Sequence, residues 1–172
     1  MTTIAIASDH AGFKMKELLK AKLAATGHEV VDLGTNSEQS VDYPDFANNM
    51  ANWLKSHPDE KGILVCGSGI GISMAANRHA HVRAVLCRSE LDAKMAREHN
   101  DANVICLSGR EAFYAPNNAP DKIPSLEQCA DIAEKFIAKF LSTELDKTNE
   151  RHKRRVDKMG CLGTGASCRK LD

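Results

Sequence analysis

The sequence predicts a doubly wound, Rossmann-like α/β fold: a five-stranded parallel sheet with helices on both faces, followed by a C-terminal helical extension. Five short apolar runs alternate along the chain with stretches whose apolar residues recur at helical spacing. Connections between parallel strands are right-handed, which places the helices on both faces of the sheet. The length of 172 residues suits one domain with a sizeable core. We therefore expect an α/β domain over residues 1–145 and a basic helix with a tail over residues 146–172.

The predicted strands are the apolar runs, each bounded by polar residues or glycine. They cover residues 4–7, 29–33, 62–66, 82–86 and 103–107. The third run has no polar alternation, which is typical of a strand buried on both faces. Because ligands of such sheets collect at the carboxyl ends of the strands, the residues that follow these runs are the first candidates for a functional site.

One predicted helix follows each strand. The spacing of apolar residues places the first two helices after Gly12 and Pro44, and the third begins at Ile70. Ser89 has the residue type and position expected of an N-cap for the fourth helix.

The region after the fifth strand divides into three parts. Residues 114–124 carry three prolines and predict an exposed loop. Residues 125–145 carry a continuous apolar stripe and predict a long amphipathic helix. A basic cluster follows over residues 150–156, and the residues from Gly160 onward show no periodicity and predict a mobile tail.

Charge and cysteine content exclude several classes of partner. Lys and Arg number 23, as do Asp and Glu, so no net charge favours nucleic acid or a lipid surface. No stretch reaches the roughly 18 apolar residues that span a bilayer, and the first residues do not have the pattern of a signal peptide. We therefore expect a cytoplasmic protein with no nucleic-acid or membrane partner. The six cysteines show no CxxC pair and no metal-ligand spacing, so we expect free thiols, with Cys87, Cys106 and Cys129 in the core and no metal site.

The strongest candidate for chemistry is the loop after the third strand, Cys66-Gly67-Ser68-Gly69-Ile70-Gly71, which we call the thiol loop. A glycine-rich turn between a strand and a helix gathers unpaired backbone N–H groups, which favour an anion or a developing negative charge. A thiol beside them is a candidate nucleophile or base because positive potential lowers its pKa, and a plain buried cysteine is the alternative. A dinucleotide fingerprint would need glycine at position 72 and a cysteine phosphatase loop would need arginine there, but Ile72 occupies it.

Polar residues at other strand and helix ends are further candidates. Asp9 and His10 follow the first strand, His99 and Asn100 end the fourth helix, and Arg110 follows the fifth strand. We expect these side chains to share one cleft with the thiol loop, where Asp9 and His10 are candidate acids, bases or hydroxyl-binding groups. Hydrogen-bonded turns without a functional role are the alternative for Asp9-His10 and for His99-Asn100.

Arg151 and Arg155 are four residues apart in the basic cluster, so on a helix they point the same way and could hold a phosphate. A solvated helix face, or a basic patch for nuclear import or nucleic acid, is the alternative. The neutral net charge and the lack of interleaved aromatic residues argue against nucleic acid. The remaining histidines are expected to be surface or structural residues: His28, His57, His79, His81 and His152.

Taken together, these motifs resemble the type B ribose-5-phosphate isomerases, within a wider group that includes subunits of galactose-6-phosphate isomerase. The resemblance rests on ordered segments spread from residue 8 to residue 155: Ser8-Asp9-His10-Ala11-Gly12, Ser40-Val41-Asp42-Tyr43-Pro44-Asp45, the thiol loop, His99-Asn100-Asp101-Ala102-Asn103, Gly109-Arg110 and Arg151-His152-Lys153-Arg154-Arg155. It implies an interconversion of D-ribose 5-phosphate and D-ribulose 5-phosphate that uses no metal and no cofactor. It also implies a homodimer whose clefts take residues from both subunits, with a tetramer as the larger alternative.

The resemblance also implies roles for individual residues. Cys66 is the base that moves a proton between C1 and C2 through an enediolate, next to Ser68, which stands where the family often has threonine. The backbone N–H groups that stabilise the enediolate oxygen, where one donor can be worth about 3 kcal/mol, belong to Gly67, Gly69, Ile70 and Gly71. His99 resembles the acid that opens the furanose ring, with Asp9 assisting, and Asn100 holds sugar hydroxyls. The implied phosphate site consists of His10, Arg110, Arg151 and Arg155.

Two other functions stay open at this stage. The same residues could isomerise a six-carbon sugar phosphate, such as galactose 6-phosphate or allose 6-phosphate. Alternatively, the chain could be a nucleotide-binding regulatory module, in which the thiol loop grips a phosphate and Cys66 is only structural.

Overall fold

The computed structural model describes residues 2–116 and 119–161. Within these residues the chain forms five strands and six α-helices around one sheet. The expected tail lies almost wholly in residues 162–172, outside the described residues, as do Asn117 and Asn118 of the expected loop.

The sheet is entirely parallel, and its strand order is β2-β1-β3-β5-β4. The strands are β1 (Thr3–Ser8), β2 (Glu29–Asp32), β3 (Lys61–Cys66), β4 (Ala84–Leu86) and β5 (Val104–Ser108). The helices are α1 (Phe13–Ala25), α2 (Tyr43–Ser56), α3 (Ile70–Ala76), α4 (Glu90–Asn100), α5 (Leu126–Ser142) and α6 (Glu150–Cys161). The predicted doubly wound α/β fold with a C-terminal helical extension is confirmed. The domain boundary at residue 145 stays a prediction.

Alternate side chains of each central strand pack into two separate apolar layers, one on each face of the sheet. Ile63 and Val65 of β3 face the layer that α1, α4 and α5 cover. Leu64 and Cys66 face the layer that α2 and α3 cover. This period of two is the one a pleated strand imposes, and it fixes the face of the sheet on which the Cys66 side chain lies.

Two predicted elements are shorter in the structure by two residues or more, and in both cases side chains replace the regular hydrogen bonding. The long helix ends at Ser142 rather than residue 145, because Thr143 is extended and its carbonyl oxygen accepts a bond of 3.1 Å from Nε of Arg97. The fourth strand begins at Ala84 rather than residue 82, since the N–H of Arg83 donates to Oδ1 of Asn103 at 2.8 Å. The Ser89 N-cap is confirmed, as its hydroxyl accepts from the N–H of Asp92.

The predicted loop over residues 114–124 is confirmed for the part that is described, which contains neither helix nor strand beyond the end of a 3-10 turn at Tyr114. The three core cysteines, Cys87, Cys106 and Cys129, are buried free thiols as expected. No helix in the described ranges is long and apolar enough to cross a bilayer.

The carboxyl ends of β1, β3 and β5 approach each other more closely than side chains would allow. A Cβ on Gly12 would lie 2.8 Å from the carbonyl group of Val65. A Cβ on Gly109 would lie 2.5 Å from the carbonyl oxygen of Ala11. Glycine at these two positions therefore lets the turn after β1 rest directly on β3 and on the residue after β5.

We predict that Gly109→Ala lowers the free energy of unfolding by about 1–3 kcal/mol, since the added methyl group overpacks a backbone contact. Gly160→Ala is the matched control, because nothing lies within 4 Å of a Cβ at this second-last residue of α6. Urea denaturation of both variants measures the difference. Equal midpoints for Gly109→Ala and the wild type would show that the strand ends can move apart freely.

Candidate functional site

The candidate site begins where the strand order reverses. From β1 the chain moves outward to β2, whereas from β3 it moves in the other direction to the edge strand β4 and then returns to β5, so a crevice opens between the carboxyl ends of β1 and β3. Asp9 and His10 follow β1, and the thiol loop follows β3. The two segments are in contact, since the N–H of Asp9 donates to the carbonyl oxygen of Val65 at 3.2 Å.

The thiol loop holds Cys66 buried, with 4% of the residue exposed. Its Sγ accepts a hydrogen bond from the N–H of Gly69 at 3.2 Å, a bond that strengthens when sulfur carries charge. Gly69 has a φ of +74°, and a Cβ there would lie 2.6 Å from Leu86, so only glycine allows this turn. The hydroxyl of Ser68 accepts from the N–H of Ile70 at 3.2 Å. The loop therefore already presents backbone donors to a sulfur and to a hydroxyl oxygen.

Asp9 is buried under the turn that it caps. One carboxylate oxygen accepts from the N–H groups of Ala11 and Gly12, at 3.0 Å each. Burial raises the pKa of Asp9, although these bonds and the charges of His10 and Arg110 oppose the rise. A carboxyl group that retains a proton more readily can act as an acid in a cleft.

His10 and Tyr43 join the crevice to the segment before α2. The Nδ1 of His10 lies 3.0 Å from the carbonyl oxygen of Val41 and 3.2 Å from its nitrogen, which fixes the ring and leaves Nε2 as the nitrogen that a ligand can use. The Tyr43 ring covers Gly71 so closely that a Cβ on Gly71 would lie 2.8 Å from it. Sequence reasoning assigned no role to Tyr43, and its only signal was its place in one of the resembling segments.

Arg110 and Ser108 complete this side of the site. The Arg110 guanidinium lies over Gly67, where a Cβ would be 3.2 Å from its Nε. The buried hydroxyl of Ser108 donates to the carbonyl oxygen of Gly67 at 2.8 Å and accepts from the N–H of Arg110 at 3.1 Å. Ser108 thus ties the thiol loop to the residue that carries the positive charge, a role that sequence reasoning missed.

His99 and Asn100 lie at the opposite edge of the sheet. The helix α4 starts after the carboxyl end of β4 and ends at Asn100, just before the amino end of β5. In the register of β3 with β5, Gly62 pairs with Val104 and Cys66 with Ser108, so the length of a strand, about 13 Å for four residues, separates the two edges. The expectation that one chain gathers His99, Asn100 and the thiol loop in one cleft is wrong, because α4 must run antiparallel to the strands.

Two arginines clamp the turn that carries His99 and Asn100. Asp101, with a positive φ of 47°, accepts from Arg97 through Oδ1 and from Arg83 through Oδ2, at 2.8 Å each. Arg97 is buried and also donates to the carbonyl oxygen of Ala102 at 2.6 Å. The end of α4 is therefore held at a defined angle rather than left to fray.

The basic helix α6 packs beside this turn. The N–H of Asp146, before α6, donates to the carbonyl oxygen of Glu98 at 2.9 Å. Arg151 and Arg155 are exposed, whereas His152 is buried with its ring centroid 4.0 Å from that of His99. The expectation that His152 is a surface or structural residue missed this contact. Its spacing to Val156 and Met159 on the inward face of α6 is the signal that could have found it.

The candidate residues of one chain therefore form two groups at opposite edges of the sheet, which we call half-sites. The first is at the carboxyl edge and contains Asp9, His10, the thiol loop and Arg110, and the second is at the amino edge and contains His99, Asn100, Arg151 and Arg155. A cavity of about 690 Å³ adjoins the first half-site beyond Ser68, on the side of β4 and away from β1. Among the described residues, no group of three or more His, Cys, Asp or Glu side chains could hold a metal ion.

Comparison with known proteins assigns the family. Residues 4–159 match the family model described as Ribose/Galactose Isomerase. The chain belongs to this family. The ribose/galactose isomerase relatives include ribose-5-phosphate isomerase B of Escherichia coli, 43% identical over 110 residues, which are 64% of this chain and 74% of that protein. The probable ribose-5-phosphate isomerase B of Mycoplasma genitalium is 39% identical over 158 residues, 91% of this chain and 92% of that protein.

Solved structures of ribose/galactose isomerase relatives agree in fold. The ribose 5-phosphate isomerase of Thermotoga maritima is 43% identical with a TM-score of 0.79, over 92% of this chain and 97% of that one. Ribose-5-phosphate isomerase B of Mycoplasma genitalium, solved with bound ribulose-5-phosphate, is 36% identical with a TM-score of 0.80, over 96% of this chain and 98% of that one.

We predict that Asp9→Asn stabilises the protein against urea at pH 7. The pKa of Asp9 is raised on folding, so ionisation of this carboxyl destabilises the native state relative to the unfolded state. The free energy of unfolding of the wild type therefore falls as the pH rises through the raised pKa. Asparagine keeps an oxygen for the two N–H bonds without the charge. The advantage should shrink as the pH falls towards the ordinary value of 3.8, where the wild-type carboxyl is protonated as well. Urea midpoints from pH 7 to pH 4 measure it, and a less stable variant at pH 7 would contradict the effect of burial.

Proposed function

We propose that this protein is an aldose-ketose isomerase that interconverts D-ribose 5-phosphate and D-ribulose 5-phosphate. The observation that carries the proposal is the Mycoplasma genitalium relative with bound ribulose-5-phosphate, whose structure matches this chain over 96% of its length. This chain has a buried thiol, backbone donors and cationic side chains that suit the acid-base chemistry of such a substrate.

The thiol loop performs the proton transfer in this proposal. The Cys66 thiolate removes the proton from C2 of the open-chain aldose, which leaves an enediolate with its charge on O1. The same proton is returned to C1 while the hydroxyl proton of O2 passes to O1, which gives the ketose. Negative charge develops on the sugar oxygen during this step. The N–H groups of the thiol loop hold that oxygen, with Gly67, Gly69, Ile70 and Gly71 as donors and the Ser68 hydroxyl beside them. The Ile70 N–H now bonds to Ser68, so the substrate oxygen would replace this internal partner.

The furanose ring of ribose 5-phosphate must open before this step. His99 acts as the acid that protonates the ring oxygen, Asp9 assists, and Asn100 holds the sugar hydroxyls. The phosphate group sits at the far end of the extended sugar, bound by His10 and Arg110 at the carboxyl edge and by Arg151 and Arg155 from α6.

A second copy of the chain completes the site. The two half-sites lie at opposite edges of one sheet, so His99 and its neighbours can reach a thiol loop only in another subunit. An exposed apolar surface supports this arrangement. Met74 of α3 and Leu91 of α4 are 66% and 65% exposed, and Ile70 and Met95 extend the surface on both sides of the edge strand β4. We propose a homodimer with two shared sites, and a tetramer stays the larger alternative.

A six-carbon sugar phosphate stays the second candidate, because the family model that matches this chain covers galactose as well as ribose isomerases. Galactose 6-phosphate or allose 6-phosphate would use the same chemical groups. The nucleotide-binding alternative has no comparable support, because the family and its relatives are sugar-phosphate isomerases.

We predict that Cys66→Ala lowers kcat for ribose 5-phosphate by about 10²–10⁴-fold, the contribution of a positioned base. Cys129→Ala, which removes a buried thiol in α5 far from the loop, is the control and should keep its activity. Assays with ribose 5-phosphate and the two hexose phosphates, in the presence of a chelator, test substrate choice and metal independence together. We expect the pentose to be converted best and the chelator to have no effect. Wild-type turnover by Cys66→Ala would refute the proposed base.

We predict that mixed dimers rescue two inactive variants. Cys66→Ala and His99→Asn are each expected to be inactive, but a mixed dimer has one cleft with both native residues. Refolding the two variants together should restore about a quarter of wild-type activity, since half of the randomly formed dimers contain one intact site of two. If each site were built from one chain, mixing the variants would restore no activity. If the protein eluted as a monomer in size-exclusion chromatography, the proposed dimer would be excluded.

A further inference from the structure

His152 occupies an unusual place on an exposed basic helix. It is 5% exposed, while its neighbours Arg151 and Arg155 face solvent. Its ring lies against His99 with centroids 4.0 Å apart and planes tilted by 42°. The contact is therefore a ring-on-ring packing between α6 and the end of α4, next to the residue to which the proposed function gives the ring-opening step.

The surroundings of His152 suit a neutral imidazole. Nδ1 is buried and has no hydrogen-bond partner among the described residues, and Nε2 lies 3.5 Å from the side-chain nitrogen of Asn149. A charged imidazole has two N–H donors that both need acceptors, which this position does not supply. The Asn149 amide can present either its nitrogen or its oxygen to Nε2, so this single contact satisfies a neutral ring but not a charged one.

The charges around His152 act in the same direction. Burial lowers the pKa of His152, and so do His99 from α4 and Arg151 and Arg155 from α6. Asp146, in the connection before α6, is the opposing group. Because the His99 ring is in contact with His152, a positive charge there disfavours a proton on His152.

We propose that His152 is a positioning residue for His99: its neutral ring sets the orientation of the His99 imidazole and holds the basic helix against α4 through the same contact. The kinetic part rests on the proposed function, since it assumes that His99 touches the sugar. One group then controls two parts of the second half-site, the ring-opening acid and the arginines that bind phosphate.

The pH dependence of this contact follows from its geometry. A docked helix with a neutral His152 binds fewer protons than an undocked helix, whose histidine has an ordinary pKa near 6.5. Docking is therefore complete above that value and weakens as the pH falls below it. Acid should release α6 and His99 together rather than one after the other.

Three variants test the positioning role in the full-length protein. His152→Ala removes the ring and should lower kcat for ribose 5-phosphate between about tenfold and a hundredfold, because the acid is misplaced. His152→Phe keeps a flat ring and should recover most of that loss. The control His57→Ala deletes another stacked but exposed histidine and should leave kcat unchanged. If His152→Ala raises KM alone, His152 only docks the helix and the positioning role is overturned.

The pH profile gives a readout that packing alone would not change. On the acidic side of the pH profile, the slope of log(kcat/KM) against pH should be greater by one in the wild type than in His152→Phe. Only the wild type loses its contact by protonation of His152. Equal slopes would overturn the proposed link between protonation and positioning.

NMR titration separates this proposal from the proposed function because it needs no turnover. The His152 imidazole should titrate below 6.5 in the wild type, and its midpoint should rise in His99→Phe, which removes the neighbouring charge. If the His152 midpoint is near 6.5 and does not change in His99→Phe, the proposed interaction between the two rings is overturned, even if the isomerase is active. The expected titration in a protein without isomerase activity would instead refute only the proposed function.

Discussion

In a parallel sheet, every residue that directly follows a strand lies at one edge, and every residue that ends the next helix lies at the other. This directional constraint decides where each functional group of the chain can act. Asp9, Cys66 and Arg110 follow strands and meet at the carboxyl edge. His99 ends a helix, so no change of loop conformation brings it round the sheet. The division into two half-sites is a consequence of topology, and a second copy with the same division is the simplest complement to it.

Close contacts between backbone segments fix the positions of the candidate residues at the carboxyl edge of the sheet. Gly12 and Gly109 allow the turns after β1 and β5 to touch, and the Ser108 hydroxyl bonds the thiol loop to the backbone of Arg110. Arg110 in turn lies over Gly67. Groups that follow three different strands are thus fixed by close backbone contacts, together with the hydrogen bonds of the Ser108 hydroxyl and the contact of the Arg110 side chain. Such rigid support is what a site for a developing charge requires, because reorientation of donors during reaction would cost part of the stabilisation.

Much of this arrangement could be predicted from sequence because it rests on local patterns. Apolar runs and turn residues identify all five strands, and the residues after them identify Asp9, His10 and the thiol loop as candidates. The prediction of one shared cleft was wrong for His99, because a residue at the end of a helix lies at the opposite edge of the sheet from residues that follow strands. Sequence reasoning also missed Ser108 and His152, whose importance lies in contacts across 41 residues to Gly67 and across the gap between two helices. Such contacts leave little local pattern, apart from the spacing of His152 with Val156 and Met159.

Hydrogen bonds among its own helix ends hold the second half-site together as one rigid unit. Arg97 donates to Asp101 at the end of α4 and to Thr143 at the end of α5, and Asp146 continues the connection by donating to Glu98. His99 and the arginines of α6 therefore share one scaffold, built from the ends of two helices and the segment between them. If this scaffold enters a partner's cleft, the acid and the phosphate-binding groups arrive together and at a fixed spacing. Each half-site holds part of the proposed phosphate site, His10 and Arg110 in one and Arg151 and Arg155 in the other. In the proposed dimer the phosphate therefore binds between two rigid bodies, while the thiol loop of one of them holds the reacting carbons.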